Sequence, residues 1–231
     1  MNDELIESGE TENKQKCLNK KCFIIFFISF ILIIGLAIFL FFILRGKEEE
    51  EEKCEPGYIP INGKCKLYSF MGTYRNDLIE DKIKLINETY LTYIGEMYMN
   101  NEEINKTFSY NFSSVGNHTI YFYINISSLQ SLEGMFEEVK KMVSIKFSPE
   151  FNTKNIKNMD RMFSDCNSLI SLDLSNFDTS SVTSMDKMFH FCRSLTSLII
   201  SSFNTSSVTN MHALFDNCVA LTSIDVSNFD T

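Results

Sequence analysis

Three cysteines recur at an interval of 26 residues, Cys166, Cys192 and Cys218, and such a row could hold a metal or act as redox thiols. A metal site needs further ligands at close spacing, and three equivalent thiols cannot all pair with one another. Cysteine on an apolar stripe is more often a buried small hydrophobe, and that is the role expected here. His118, His190 and His212 occupy non-equivalent positions and have no serine, cysteine or carboxylate partner at a recurring offset. No nucleophile constellation can be assembled from them, and no glycine-rich phosphate loop is present. The sequence therefore predicts no catalytic residue, no metal ligand and no cofactor, and a protein that is not an enzyme.

Cys54 and Cys65 enclose ten residues rich in turn formers. With no further ligands nearby for a metal, they predict one disulfide-closed loop, which implies an oxidising compartment. Cys17 and Cys22 stand beside an apolar segment, where reversible acylation and unmodified thiols are equally open. Asn-x-Ser/Thr glycan acceptors occur at Asn87, Asn105, Asn111, Asn117, Asn125 and Asn204, all in the C-terminal part of the chain.

The elements that must position these residues begin with Phe23–Leu44, 22 residues without a charge. As a helix this run spans roughly 33 Å, enough for a hydrocarbon core of about 30 Å, and it has no small-residue cleavage site. It reads as a transmembrane signal anchor. Lys14, Lys16, Lys20 and Lys21 precede it, and the one-sided glycan acceptors follow it, so the N-terminus is expected in the cytoplasm and the C-terminal region outside. The expected organisation is a cytoplasmic tail over 1–21, the anchor over 22–44, an acidic stalk and cysteine loop over 45–66, a small β-rich domain over 67–130 and repeats over 131–231. Residues 45–231 carry 17 of the 21 basic and 25 of the 30 acidic side chains, a balance of −8, which disfavours nucleic acid or anionic lipid as partner.

Runs such as Lys82–Ile86, Thr107–Phe112 and Thr119–Ile124 are rich in Tyr, Phe, Ile and Thr and alternate polar with apolar, which predicts antiparallel strands. Beyond them, Met162–Thr183 recurs as Met188–Thr209, a third copy runs from Leu214 to Thr231, and a divergent copy starts at Met135. There are four units, the last incomplete. Leu169, Leu172 and Leu174 predict a short strand. Val182, Met185, Met188 and Phe189 follow at a spacing of three to four residues, which predicts a short helix capped from Thr179-Ser180-Ser181. Because one unit cannot cover its own apolar face, the units must stack, with Phe151, Phe177, Phe203 and Phe229 as an internal ladder.

The unit Met-Phe-x-x-Cys-x-Ser-Leu-x-Ser-Leu-Asp-Leu-Ser-Asn-Phe-Asp-Thr-Ser-Ser-Val-Thr-x-Met resembles the repeat of BspA-like leucine-rich repeat surface proteins of bacteria and of parasitic or gut-dwelling protists. Gly116–Tyr121 is similar to the lead-in of protist members. The resemblance covers about residues 133–231 and implies adhesion to host cells, matrix or other microbes. It departs from leucine-rich repeats in placing phenylalanine at positions 177, 203 and 229, where many carry an asparagine ladder. The fold class expected is thus an α/β leucine-rich repeat solenoid, with a strand and a short helix per repeat, after a small β-rich domain and a single transmembrane helix.

Stacking would align Ser144, Ser171, Ser197 and Ser223 in one outward row and Ser148, Ser175, Ser201 and Ser227 in another, with Lys146, Asp173, Ile199 and Asp225 between them. The rows could be a ligand face or solvent-compatible filler. A membrane-anchored surface protein that recognises proteins or glycans is expected. The alternative is a self-assembling scaffold joined through its uncapped last repeat.

Overall fold

The computed structural model describes residues 54–56, 58–61, 64–78 and 82–230. Among them are eleven strands and one 3-10 helix, Glu88–Tyr93. Strands β1 (Tyr58–Ile61) and β2 (Lys64–Leu67) form an antiparallel hairpin, and the expected Cys54–Cys65 disulfide ties its base. The largest sheet has seven strands. Their order is β11 (Ser197–Ile199), β10 (Ser171–Asp173), β9 (Met142–Phe147), β3 (Phe70–Asn76), β8 (Gly116–Ile124), β5 (Ile94–Met99) and β6 (Glu102–Glu103). The first three are parallel and the rest antiparallel. A side ribbon pairs β4 (Lys82–Lys84) with β7 (Ser109–Asn111).

Alternation decides which face of the sheet is core. Phe70, Tyr74, Ile120, Phe122, Ile145, Phe147 and Leu172 point inward and are buried, while Met71, Thr73, Thr119, Tyr121 and Lys146 stand on the other face. Gly72 keeps the inward face open for the Tyr74 ring: a Cβ there would lie 2.5 Å from the tyrosine oxygen. The Tyr74 hydroxyl donates to the Leu85 carbonyl at 2.9 Å, satisfying a fully buried polar group.

The repeats stack as coils. Ser131, Asn158, Ser184 and Asn210 form a column of parallel bridges that marks where each coil starts. The short helix expected in each coil is absent among the described residues, and with it the α/β leucine-rich repeat solenoid; the fold is predominantly β and turn. The backbone shows why. Arg161, Asp165, Lys187, Phe191, Ala213 and Asn217 have φ between 52° and 59°, two left-handed residues four positions apart in each coil, which no α-helix accommodates. Instead the N–H groups alternate in direction. Met188, His190 and Cys192 donate within their own turns to Met185, Lys187 and Phe189, whereas Met185, Lys187, Phe189 and Phe191 donate to Asn210, His212, Leu214 and Asp216 of the next coil, at 2.8–3.0 Å. Successive tight turns advance about as many residues per inward position as a helix does. Val182, Met185, Met188 and Phe189 are therefore all fully buried, as the periodicity requires, without being helical.

Two side-chain ladders run through the stack. Phe136, Phe163, Phe189 and Phe215 stack with centroids 5.4, 5.9 and 5.6 Å apart, and Phe151 stacks on Phe177 at 5.7 Å. Phe203 is buried too, and Phe229 is half-buried. Beside the rings runs a buried threonine ladder. Each Oγ1 accepts the N–H and donates to the carbonyl of the residue 25 positions on, Thr153 with Asp178, Thr179 with Asn204 and Thr205 with Asp230. Asn176, Ser202 and Asn228 add bonds to backbone carbonyls of the preceding coil. The threonines of this polar column lie two positions after Phe151, Phe177 and Phe203 in the sequence of each coil.

The single transmembrane helix expected at Phe23–Leu44, and with it the membrane partner and single-pass cell-membrane location, is not supported: no helix among the described residues is long and apolar enough to cross a membrane. The segment itself, with Cys17, Cys22 and the charge run after it, lies outside the described residues.

Candidate functional site

The outward face of the seven-stranded sheet gathers hydroxyl groups in register. Ser171 pairs with Ser197 on one side and Ser144 on the other, so three of the expected row residues are neighbours on adjacent strands. The row does not stop at the repeats. Ser144 pairs with Thr73 of β3, and Thr73 pairs with Thr119 of β8, the two threonine hydroxyls lying 3.1 Å apart. Five strands thus contribute Thr119, Thr73, Ser144, Ser171 and Ser197 to one line. Ser171 and Ser197 are exposed, and the other three are half-buried. Sequence reasoning missed Thr73 and Thr119 because they lie outside the repeats, and only the β3–β9 pairing brings them into line.

The next row across the face holds Lys146, Asp173 and the exposed Ile199. Asp173 also shapes the turn that follows, its Oδ1 accepting the N–H of exposed Ser175 at 2.9 Å. Asp225 does the same for Ser227 at 2.9 Å, and the Ser227 hydroxyl holds its carboxyl below the usual range. Ser201, Ser223 and Asp225 are exposed, though Ser223 and Asp225 sit outside any strand. Ser148 is the exception to the second row. It is fully buried, because its N–H donates to the Ser69 carbonyl at 2.9 Å and the segment before β3 covers it.

The disulfide-tied hairpin packs on the same outward face further along. Ile59, Ile61, Tyr68 and Tyr98 form a small core with Met71 and Tyr121. Lys66 donates to Glu96 and to the Tyr98 hydroxyl, and these contacts hold the Glu96 carboxyl below its ordinary value, the Tyr98 hydroxyl first and Lys66 second. The hairpin leaves Ser171 and Ser197 exposed.

The glycan acceptors divide by geometry. Asn105, Asn111, Asn117, Asn125 and Asn204 are exposed, whereas Asn87 is half-buried, caps Glu88–Tyr93 and donates from Nδ2 to the Gly134 carbonyl at 3.1 Å. The repeat cysteines are buried and unpaired. Each Sγ donates to the preceding coil, Cys166 to Phe136, Cys192 to Phe163 and Cys218 to Phe189, and burial pushes the Cys166 thiol well above its ordinary value. His118 stacks on Phe112 at 4.2 Å, His190 faces Asp216 at 3.2 Å and His212 faces Asp186 at 3.0 Å. Among the described residues, no three His, Cys, Asp or Glu side chains are grouped closely enough to hold a metal.

Residues 130–231 match the model of a family described as "Mycoplasma protein of unknown function, DUF285". The region is similar to that family, and neither a BspA-like nor a leucine-rich repeat family is found, which corrects the resemblance drawn from the repeat string. The left-handed turns that stand where the expected helix would be are the structural counterpart of that correction. No curated protein and no solved structure matches the chain.

Proposed function

We propose that this protein is a non-catalytic recognition module that binds an extended protein or carbohydrate ligand across the strands of its outward sheet face. The observation that carries this is the line from Thr119 to Ser197, five hydroxyls on five neighbouring strands. At the usual strand separation of about 4.8 Å the line is roughly 19 Å long. Hydroxyls both donate and accept, so a periodic row can meet either backbone amides or sugar hydroxyls without a desolvated charge. Lys146, Asp173 and Ile199 beside it supply charge and an apolar contact for selectivity. The test is a glycan and protein array probed with wild type and with Ser171→Arg and Ser197→Arg, substitutions at exposed positions that block the row without touching the core. Hits lost in both variants support the reading; hits that both variants retain overturn it.

A further inference from the structure

A cavity of about 220 Å³ opens where the end of β8 meets the loop after β9, on residues that the hydroxyl row does not use. Its buried floor includes Ser148, whose Oγ is fully enclosed and has no hydrogen-bond partner among the described residues. Its exposed rim includes Tyr123, Asn125, Glu150, Asn152 and Asn155. Two of the three amides are already oriented. Asn125 Oδ1 accepts from the Ser127 N–H and hydroxyl, and Asn152 Oδ1 accepts the Lys154 N–H at 3.0 Å, so each directs its Nδ2 away from its own turn. The Tyr123 ring is also fixed in place. It lies over Gly95 of the neighbouring strand, where a Cβ would come within 2.5 Å of the ring.

We propose that this cavity binds one neutral sugar ring, such as the terminal residue of a glycan. Size is the first reason. The volume is below the about 300–1,000 Å³ of sites for drug-sized molecules, which suits a single ring. Chemistry is the second. The lining contains no Lys, Arg or His to neutralise an anion, but amides and hydroxyls that both donate to and accept from hydroxyl groups and one carboxylate that accepts from them. The third is the half-exposed tyrosine, whose apolar face and polar tip suit a sugar's mixed CH and OH surface. Glu150, the one carboxylate of the lining, further disfavours acidic sugars.

The site is tested on the full chain, produced without glycosylation so that Asn125 carries nothing. The probes are methyl glycosides of mannose, galactose and N-acetylglucosamine, with sialic acid and glucose 6-phosphate as anionic comparators, read by saturation-transfer NMR and titration. At least one neutral glycoside should bind with a dissociation constant on the order of 1 mM, as expected for a ligand of about a dozen heavy atoms. Tyr123→Ala and Asn155→Ala should each weaken it about tenfold, with unchanged melting temperature for Asn155→Ala, whose side chain is exposed. Gly95→Ala should weaken it similarly by displacing the tyrosine ring. Ser197→Arg should leave it unaltered, which separates this site from the outward-face reading. Absence of binding by every neutral glycoside at about 10 mM, stronger binding of the anionic sugars, or binding indifferent to both Tyr123→Ala and Asn155→Ala would overturn the proposal.

Discussion

Thr179→Val tests whether hydrogen bonds between coils, and not only apolar burial, hold the stack in register. Thr179 is fully buried; its Oγ1 donates to the Asn204 carbonyl at 3.0 Å and accepts the Asn204 N–H at 2.8 Å. Valine has the same shape, so no cavity forms, but one donor and one acceptor of the backbone lose their partner. Each unsatisfied buried group costs about 1–3 kcal/mol. Asn204 is exposed at its side chain, which lets water reach part of the backbone and places each loss at the low end, for a total of about 2 kcal/mol. In a cooperative unit of roughly 150–250 residues this lowers the melting temperature by about 4–8 °C. Thermal unfolding followed by circular dichroism, with urea titration alongside, gives the number. Thr179→Ser keeps both bonds and loses one methyl, so it should cost about 1 kcal/mol or less. A valine variant that melts within about 1 °C of wild type, or a serine variant that is equally damaged, would refute the ladder as a source of stability.

Three further outcomes follow from the same geometry. Phe203→Ala should cost about 3–5 kcal/mol through a cavity between coils, against less than about 0.5 kcal/mol for Ser197→Ala on the outward face; equal melting temperatures would reverse the facing of the strands. The Asp178 carboxyl is held below its ordinary value by the Ser180 hydroxyl and then the Ser180 N–H. Its depressed pKa contributes stability that is present above the unfolded value of 3.8 and lost as pH falls through the lower folded value. Asp178→Asn, which copies Asn152 and Asn204 at the equivalent positions, should flatten the stability profile below about pH 4, as measured by urea unfolding against pH. Expressed through a eukaryotic secretory pathway, the chain should carry asparagine-linked glycans at the exposed acceptors Asn105, Asn111, Asn117 and Asn204 and none at Asn87. Peptide mapping after enzymatic deglycosylation would show otherwise if an occupied Asn87 tolerates losing its bond to Gly134.

Much of the inward side of this fold was legible because it is written locally. The recurrence of Phe151, Phe177 and Phe203 at the same place in each unit marks them as core whatever the backbone does between them, and all three are buried. The cysteine loop was legible for a similar reason: two cysteines around a turn-rich segment have few other uses. The helix was not, because a chain of tight turns and a helix both return to the inward face every three to four residues. The residues that distinguish them are Arg161, Asp165, Lys187, Phe191, Ala213 and Asn217, ordinary side chains at left-handed φ; a glycine announces that conformation in the first coil, at Gly134, and in none of these. Pairing between β3 and β9 was also out of reach, since one strand belongs to the repeats and the other does not. Thr73, Thr119 and the burial of Ser148 all follow from that pairing, and so does the cavity beside Tyr123.

That pairing also explains how the stack begins. A parallel strand pairs on both edges, so β9, as the first strand of the repeats, would present a row of open N–H and C=O groups on the side away from β10. Antiparallel β3 occupies that edge along Phe70–Tyr74. The same strand closes the core. Phe70 touches Phe122 of its own neighbour β8, and also Phe136, Phe147 and Phe151 of the first coil, at centroid separations from 4.7 to 6.3 Å. One ring therefore joins the non-repetitive strands to the repeats, and the two share one hydrophobic core. With inward positions committed to this shared core and coil-to-coil bonds carried by the turns and threonines, the outward hydroxyls bear little of the stability. Residues so placed are free to be chosen for what they touch outside the molecule.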